Sequence, residues 1–275
     1  MKKKKHNKKK QLIRNILIVI AIILVILLLM LMLYKMLDIN KNKKVYEKIN
    51  RTKQLQQAEK QFSKEAVVGW LTIYDADIDV PIVTNKKNKE LTLYDIGSLD
   101  YGWVINDNNK YTNKIGITGH NIMNLSSIPI RNDKSLTKFE NLMSYVYEDF
   151  AREHEYLQYT VDGKTHYYKI FSVFFSNADR YFGTKELTNN QMKHVINDYK
   201  KASIYDYDVD LDKTDNIICL ATCSRFFGAQ TYEKTFVVVG RELRNNEKKM
   251  VEYKMETNDN YKRIEKTMKG SEENE

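Results

Sequence analysis

The chain has 275 residues, enough for one sizeable domain with appendages, and 42% hydrophobic and 11% aromatic residues with only 10 Gly and 2 Pro exclude a collagenous, low-complexity or globally disordered protein. The net charge of +9 is a property of one end: the first 14 residues hold eight of the 45 basic residues and no acid, leaving 37 basic against 36 acidic residues. The body is therefore near neutral, which argues against a nucleic-acid partner, since a phosphate-binding surface needs a sustained basic stripe.

Behind the basic tail, residues 16–33 are an unbroken run of 18 apolar residues closed by Tyr34 and Lys35. A helix of that length spans a bilayer, and the Lys-rich flank before it keeps the N-terminus in the cytoplasm and exports the remainder. A cleaved signal peptide has a shorter apolar region ending in small residues, whereas this one runs into Met-Leu-Tyr-Lys-Met-Leu-Asp. The sequence predicts a cytoplasmic tail over 1–14, an uncleaved transmembrane anchor over 15–35 and a helical juxtamembrane stalk over 36–64, where Val45, Ile49, Leu55, Ala58 and Phe62 recur at a loose three-to-four spacing.

From residue 67 the texture becomes short apolar or alternating runs between turn residues. Eight strands are predicted, over 67–74, 78–83, 103–105, 115–118, 156–161, 166–175, 217–223 and 235–243. Asp162-Gly163 between the fifth and sixth is a hairpin signal. Helical stretches are predicted around 136–150, 188–201 and 246–268. The fold class is mainly β with inserted helices, an eight-stranded barrel over 65–244 behind a single anchor, with a charged helix or tail over 245–275.

An exported domain could use disulfides, yet there are only Cys219 and Cys223. Four residues apart on one strand, their Cα atoms would be about 13 Å from each other, beyond the reach of an S–S bond. They are read as free thiols, and with no nearby His pair they form no zinc site, so neither metal nor cofactor is implied.

Two constellations can carry chemistry. Thr118-Gly119-His120-Asn121 ends one predicted strand, where a glycine permits a sharp turn and a histidine can project from the sheet edge. Leu220-Ala221-Thr222-Cys223 ends another, followed by Ser224-Arg225 and a loop of about ten residues. A thiol at a strand end beside cationic groups is where thiolate chemistry occurs, whereas Cys219, flanked by Ile218 and Leu220, is read as a buried hydrophobe. His154, His166 and His194 are read as surface or sheet residues and His6 as part of the tail.

The anchor, the strand pattern and the ordered pair Thr-Gly-His and Leu-Ala-Thr-Cys resemble the sortases, the cysteine transpeptidases of Gram-positive surfaces, over about residues 65–243. The resemblance is to class B in particular, through Asp79-Val-Pro-Ile-Val83, Tyr94-Asp-Ile-Gly-Ser98, Gly102-Trp-Val-Ile-Asn-Asp107, Phe139-Glu-Asn-Leu-Met-Ser-Tyr145, Tyr168-Lys-Ile-Phe-Ser-Val173 and Thr214-Asp-Asn-Ile-Ile-Cys219. It implies acyl transfer in two steps. Cys223 would attack the Thr–Gly bond of a sorting signal on a surface protein or pilin and form a thioester. An amine, from a peptidoglycan precursor or a pilin lysine, would then resolve it. His120 would protonate the leaving amine and deprotonate the incoming one, and the Ser224 N–H would be an oxyanion donor. By the same carry-over Asp79, Val83 and Ala221 line the peptide groove.

One family feature is missing. The arginine expected at the start of the last strand is replaced by Thr235, which cannot supply a permanently charged fork. Arg225, Lys234 and Arg241 are the available substitutes. Arg225 is favoured, and Arg241, about 20 Å along the strand, is too far. The competing readings are a membrane-anchored cysteine peptidase that uses water as acceptor, and a cell-wall scaffold that has lost activity.

Overall fold

The computed structural model describes residues 14–15, 17–33, 52–62, 66–84, 101–104, 111–136, 138–177, 182–248 and 251–272. The chain divides into two compact units, Met1–Arg51 and Thr52–Glu275. In the first, residues 17–33 are helical with every described side chain exposed. Among the described residues no helix is long and apolar enough to cross a membrane. The expected anchor and stalk otherwise fall on residues outside the described set, as do the landmarks at 94–98 and 105–107.

The second unit is built on a closed sheet. In chain order its strands are β1 (Val67–Ile73), β2 (Ile78–Val83), β3 (Gly102–Val104), β4 (Lys114–Gly119), β5 (Tyr156–Val161), β6 (Lys164–Ser176), β7 (Tyr205–Tyr207), β8 (Ile217–Cys223), β9 (Thr235–Glu242) and β10 (Met255–Thr257). Eight of them close in the order β1-β2-β3-β4-β8-β9-β6-β5. The pairs β2–β3 and β4–β8 are parallel and the others antiparallel. These eight follow the predicted runs within a few residues, but the strand count is larger than expected, because β7 and β10 form a second, two-stranded sheet. Three-residue strands carry too short a pattern to be read from sequence.

The β5–β6 connection is the two-residue hairpin that Asp162-Gly163 predicts, with φ of +49° and +72° in the left-handed region. The barrel interior and the faces under the helices are filled by Tyr168, Phe171, Phe174, Val237, Val238 and Val239, all essentially inaccessible. Burying a side chain of this size contributes about 1.5–3 kcal/mol, so this aromatic and β-branched core dominates stability without any disulfide.

The helices depart from expectation in instructive ways. Helix α1 (Thr52–Phe62) is no free stalk: Ala58 and Phe62 are buried in a small cluster with Trp70, Val83 and Tyr101, and the Phe62 and Tyr101 rings are 5.0 Å apart. Residues 136–150 form a 3₁₀ helix (Lys138–Val146) followed by the short α2 (Glu148–Glu153). Helix α3 (Asn189–Ala202) carries a capping box in which Thr188 and Gln191 exchange backbone and side-chain bonds, and it packs Met192, Ile196 and Tyr199 on the core. The C-terminal segment is not one helix from 246. It contributes β10 and then α4 (Asp259–Glu272), with Ile264 buried.

Candidate active site

β4 and β8 run parallel in the register Thr118↔Ala221 and Gly119↔Thr222. The next residue on each strand is His120 and Cys223, so the two leave neighbouring strands side by side, about 4.8 Å being the spacing of paired strands. Two hydroxyls lock this register. Thr118 Oγ1 donates to the Ala221 carbonyl (2.8 Å) and Thr222 Oγ1 donates to the Gly119 carbonyl (2.9 Å). The threonines of the two motifs therefore stitch together the strands that bear the histidine and the cysteine.

Cys223 is the exposed end of an otherwise buried strand. Cys219 is wholly buried, its thiol pushed up by that burial. His120 is half-buried, and desolvation holds its imidazole below the ordinary pKa. It is therefore neutral at pH 7, able to accept a proton before it can donate one.

The turn after His120 is built by residues that sequence reading left without a role. The side-chain amide of Asn121 donates to the Cys223 carbonyl and to the Asn124 carbonyl, both at 2.8 Å, and its oxygen accepts from the Asn124 N–H. The Glu140 carboxylate, fully buried, accepts from the N–H groups of Ile122 and Met123 (2.6 Å for the latter). Asn124 in turn bonds the Ile130 and Glu140 carbonyls. Gly119 is needed for a steric reason rather than for the sharp turn expected. A Cβ there would overlap Phe139 Cγ, because the Phe139 ring rests on the glycine.

On the other flank of the nucleophile, Thr235 is the cross-strand partner of Cys223. The position expected to hold an arginine is thus directly beside the thiol and uncharged. Of the three substitutes, Arg241 is excluded. It pairs with Ile217 at the far end of β8 and is fully buried against Glu247. Lys234 is exposed, but it precedes the Thr235 partner position, and successive strand side chains take opposite faces. Arg225 is exposed and two residues beyond Cys223, with buried Ser224 between them, so the alternation puts Arg225 on the Cys223 side.

The Ser224 N–H, expected to face an oxyanion, is already bonded to the Lys234 carbonyl (2.8 Å), which extends the β8–β9 ladder by one step. It can serve an oxyanion only after that bond opens. The groove residues divide. Val83 pairs with Trp103, Trp103 with Thr118 and Thr118 with Ala221, so Val83 and Ala221 lie in one row across the sheet, both buried. Asp79 is instead a hairpin residue of β2, accepting from Trp70 Nε1 (2.8 Å) and Thr72 Oγ1 (2.9 Å). Of the remaining histidines, His194 is exposed, His166 bonds Glu242, and His154, contrary to expectation, is buried against Phe150. Among the described residues no cluster of His, Cys, Asp and Glu could hold a metal ion.

Residues 71–243 match the family model described as "Sortase domain". Sortase B of Listeria monocytogenes is 29% identical over 189 residues, covering 64% of this chain and 69% of the relative. Sortase B of Clostridium perfringens superposes with a TM-score of 0.53 at 22% identity, over 69% of this chain and all of that one. The sortase B from the Type II pilus of Streptococcus pneumoniae superposes with a TM-score of 0.52 at 18% identity, over 71% and 98%. With its histidine and cysteine on adjacent parallel strands of such a barrel, the chain belongs to the sortase family of cysteine transpeptidases, and the relatives named here are sortases B.

Proposed function

We propose that the protein is a class B sortase that cleaves a sorting signal at a Thr–Gly type bond through a Cys223 thioester and passes the acyl group to an amine. The observation that carries this reading is the parallel β4–β8 pairing, which sets half-buried His120 beside exposed Cys223. Neutral His120 takes the Cys223 thiol proton as sulfur attacks the threonine carbonyl carbon. The resulting imidazolium then protonates the glycine nitrogen as the C–N bond breaks. The incoming amine attacks the thioester, gives its proton back to His120 and releases the thiolate, and the thiol is restored by that proton. Arg225 is proposed as the cation that faces the oxyanion in both steps, with Val83 and Ala221 under the peptide and Asp79 at the hairpin beyond them.

The amine acceptor is a peptidoglycan cross-bridge or a pilin lysine. One solved sortase B is complexed with a triglycine peptide, and the pneumococcal relative belongs to a Type II pilus, so each acceptor has a precedent in the fold. The apolar run 16–33 behind its basic tail supports a single-pass anchor with the N-terminus in the cytoplasm and the barrel at the cell surface.

The test is incubation of the full-length protein in detergent with a panel of sorting-signal peptides, read by intact mass. An acyl adduct that disappears in Cys223→Ala is expected, and Arg225→Ala should slow its formation by about 100-fold. Absence of any adduct, with a thiol inert to small alkylating agents, would leave the inactive wall scaffold. An adduct resolved only by water in the presence of every amine would leave the peptidase.

A further inference from the structure

The loop over 224–234 joins the two strands that flank the thiol, and its first residues are Ser224 and Arg225. It is gripped from outside the family domain, by a helix that begins sixteen residues after the matched segment ends at 243. Arg263 on α4 presents its guanidinium to both arms of this loop. On the outgoing arm its central carbon lies 3.9 Å from the ring centroid of Phe227, which packs in turn on Phe226 and Phe175 at 5.0 and 4.9 Å. On the returning arm its two terminal nitrogens each take one oxygen of Glu233, Nη1 to Oε1 at 3.0 Å and Nη2 to Oε2. A planar fork that stacks on one face and bonds bidentately at its edge is a contact lysine cannot reproduce.

The helix that carries Arg263 is itself fixed. Ile264 is buried in the core, and Asn258 and Asn260 both donate to the Ser203 carbonyl at the end of α3 (2.9 Å each). A rigid element therefore holds a loop whose two ends lie at Cys223 and Thr235.

We propose that Arg263 is a positioning residue, clamping the loop between β8 and β9 so that Arg225 stays at the thiol. The proposal rests on the catalytic reading above for its consequence, though the clamp itself can be read without catalysis. In the full-length protein, Arg263→Ala should lower kcat for acyl-enzyme formation about tenfold or more with little change in KM. Amide exchange across 225–234 should quicken, while alkylation of Cys223 by iodoacetamide keeps its rate. Arg263→Lys should recover only a minor part of the loss, and the charge swap Glu233→Arg with Arg263→Glu should recover more than either single substitution.

Wild-type kinetics and wild-type loop exchange in Arg263→Ala would overturn the proposal, as would equal losses in the swap and the single variants. If the wild-type protein forms no acyl-enzyme, the catalytic reading falls by itself. Loop exchange in Arg263→Ala then decides the clamp alone, faster exchange supporting it and unchanged exchange ending it.

Discussion

The side-chain amide of Asn121 donates a 2.8 Å hydrogen bond to the main-chain carbonyl of Cys223. It ties the residue after the histidine to the residue that carries the nucleophile, so the two turns move as one. Asn121→Ala removes that tie and leaves a buried carbonyl short of a partner. The expected outcome is a fall in kcat of about 10- to 100-fold with KM nearly unchanged, since small displacements of reacting groups are costly. Steady-state kinetics with a cleavable peptide checks it. Labelling of Cys223 by iodoacetamide should be unaffected, because the thiol stays exposed.

The two cysteines differ in access rather than in type. Cys219 is inaccessible on β8 with its thiol pushed up by burial, while Cys223 is exposed. Native protein should take up one equivalent of a thiol reagent and denatured protein two, counted by mass. Cys223→Ser should abolish native labelling and Cys219→Ser should not.

Gly119→Ala tests the contact with Phe139. The added methyl would overlap the ring, and neither the strand nor the packed 3₁₀ helix can yield freely, so a loss of about 1–3 kcal/mol is expected. For a unit of this size that is a fall in Tm of about 2–4 °C per kcal/mol, measurable by calorimetry. Phe139→Leu should relieve part of it.

His154 and Glu155 are buried neighbours with opposite pH signatures. Burial holds the His154 imidazole below its ordinary value, so below about pH 6.5 the unfolded chain takes up a proton that the folded chain refuses, and stability falls with acid. Burial pushes Glu155 up to about 7 from 4.5, so its contribution is fully present below pH 4.5 and is lost as pH rises through 7. Glu155→Gln should therefore raise stability at pH 8 by about 1 kcal/mol, discounted for partial solvent screening, and change little near pH 4.5. Denaturant melts at the two pH values check the sign. A stabilisation confined to pH 4.5 would show that the carboxyl is already ionised in the folded protein.

The barrel was legible because its strands announce themselves through β-branched and aromatic runs between turn residues, and Asp162-Gly163 fixed one hairpin outright. Cys223 and His120 were legible because each ends such a run. What escaped depends on partners distant in sequence. Glu140 reads as one acid among many until its carboxylate is found under Ile122 and Met123. The reason for Gly119 is a ring twenty residues later. Helix α1 was read as a stalk because its apolar stripe gives no hint of Trp70 and Tyr101 waiting on the barrel. The Ser224 N–H shows the limit of local reading at the site itself, since its bond to Lys234 is set by how far the β8–β9 ladder extends.

The parallel join of β4 to β8 also has a meaning in time. Asn121 and Cys223 are 102 residues apart, and parallel strands so distant in the chain pair only after a long excursion has closed. While the polypeptide is still threading outward, histidine and thiol are strangers on an open string, and a stray carbonyl meets a cysteine without its proton acceptor. The reactive couple comes into being with the last closure of the sheet, so the chain acquires its chemistry only on arrival.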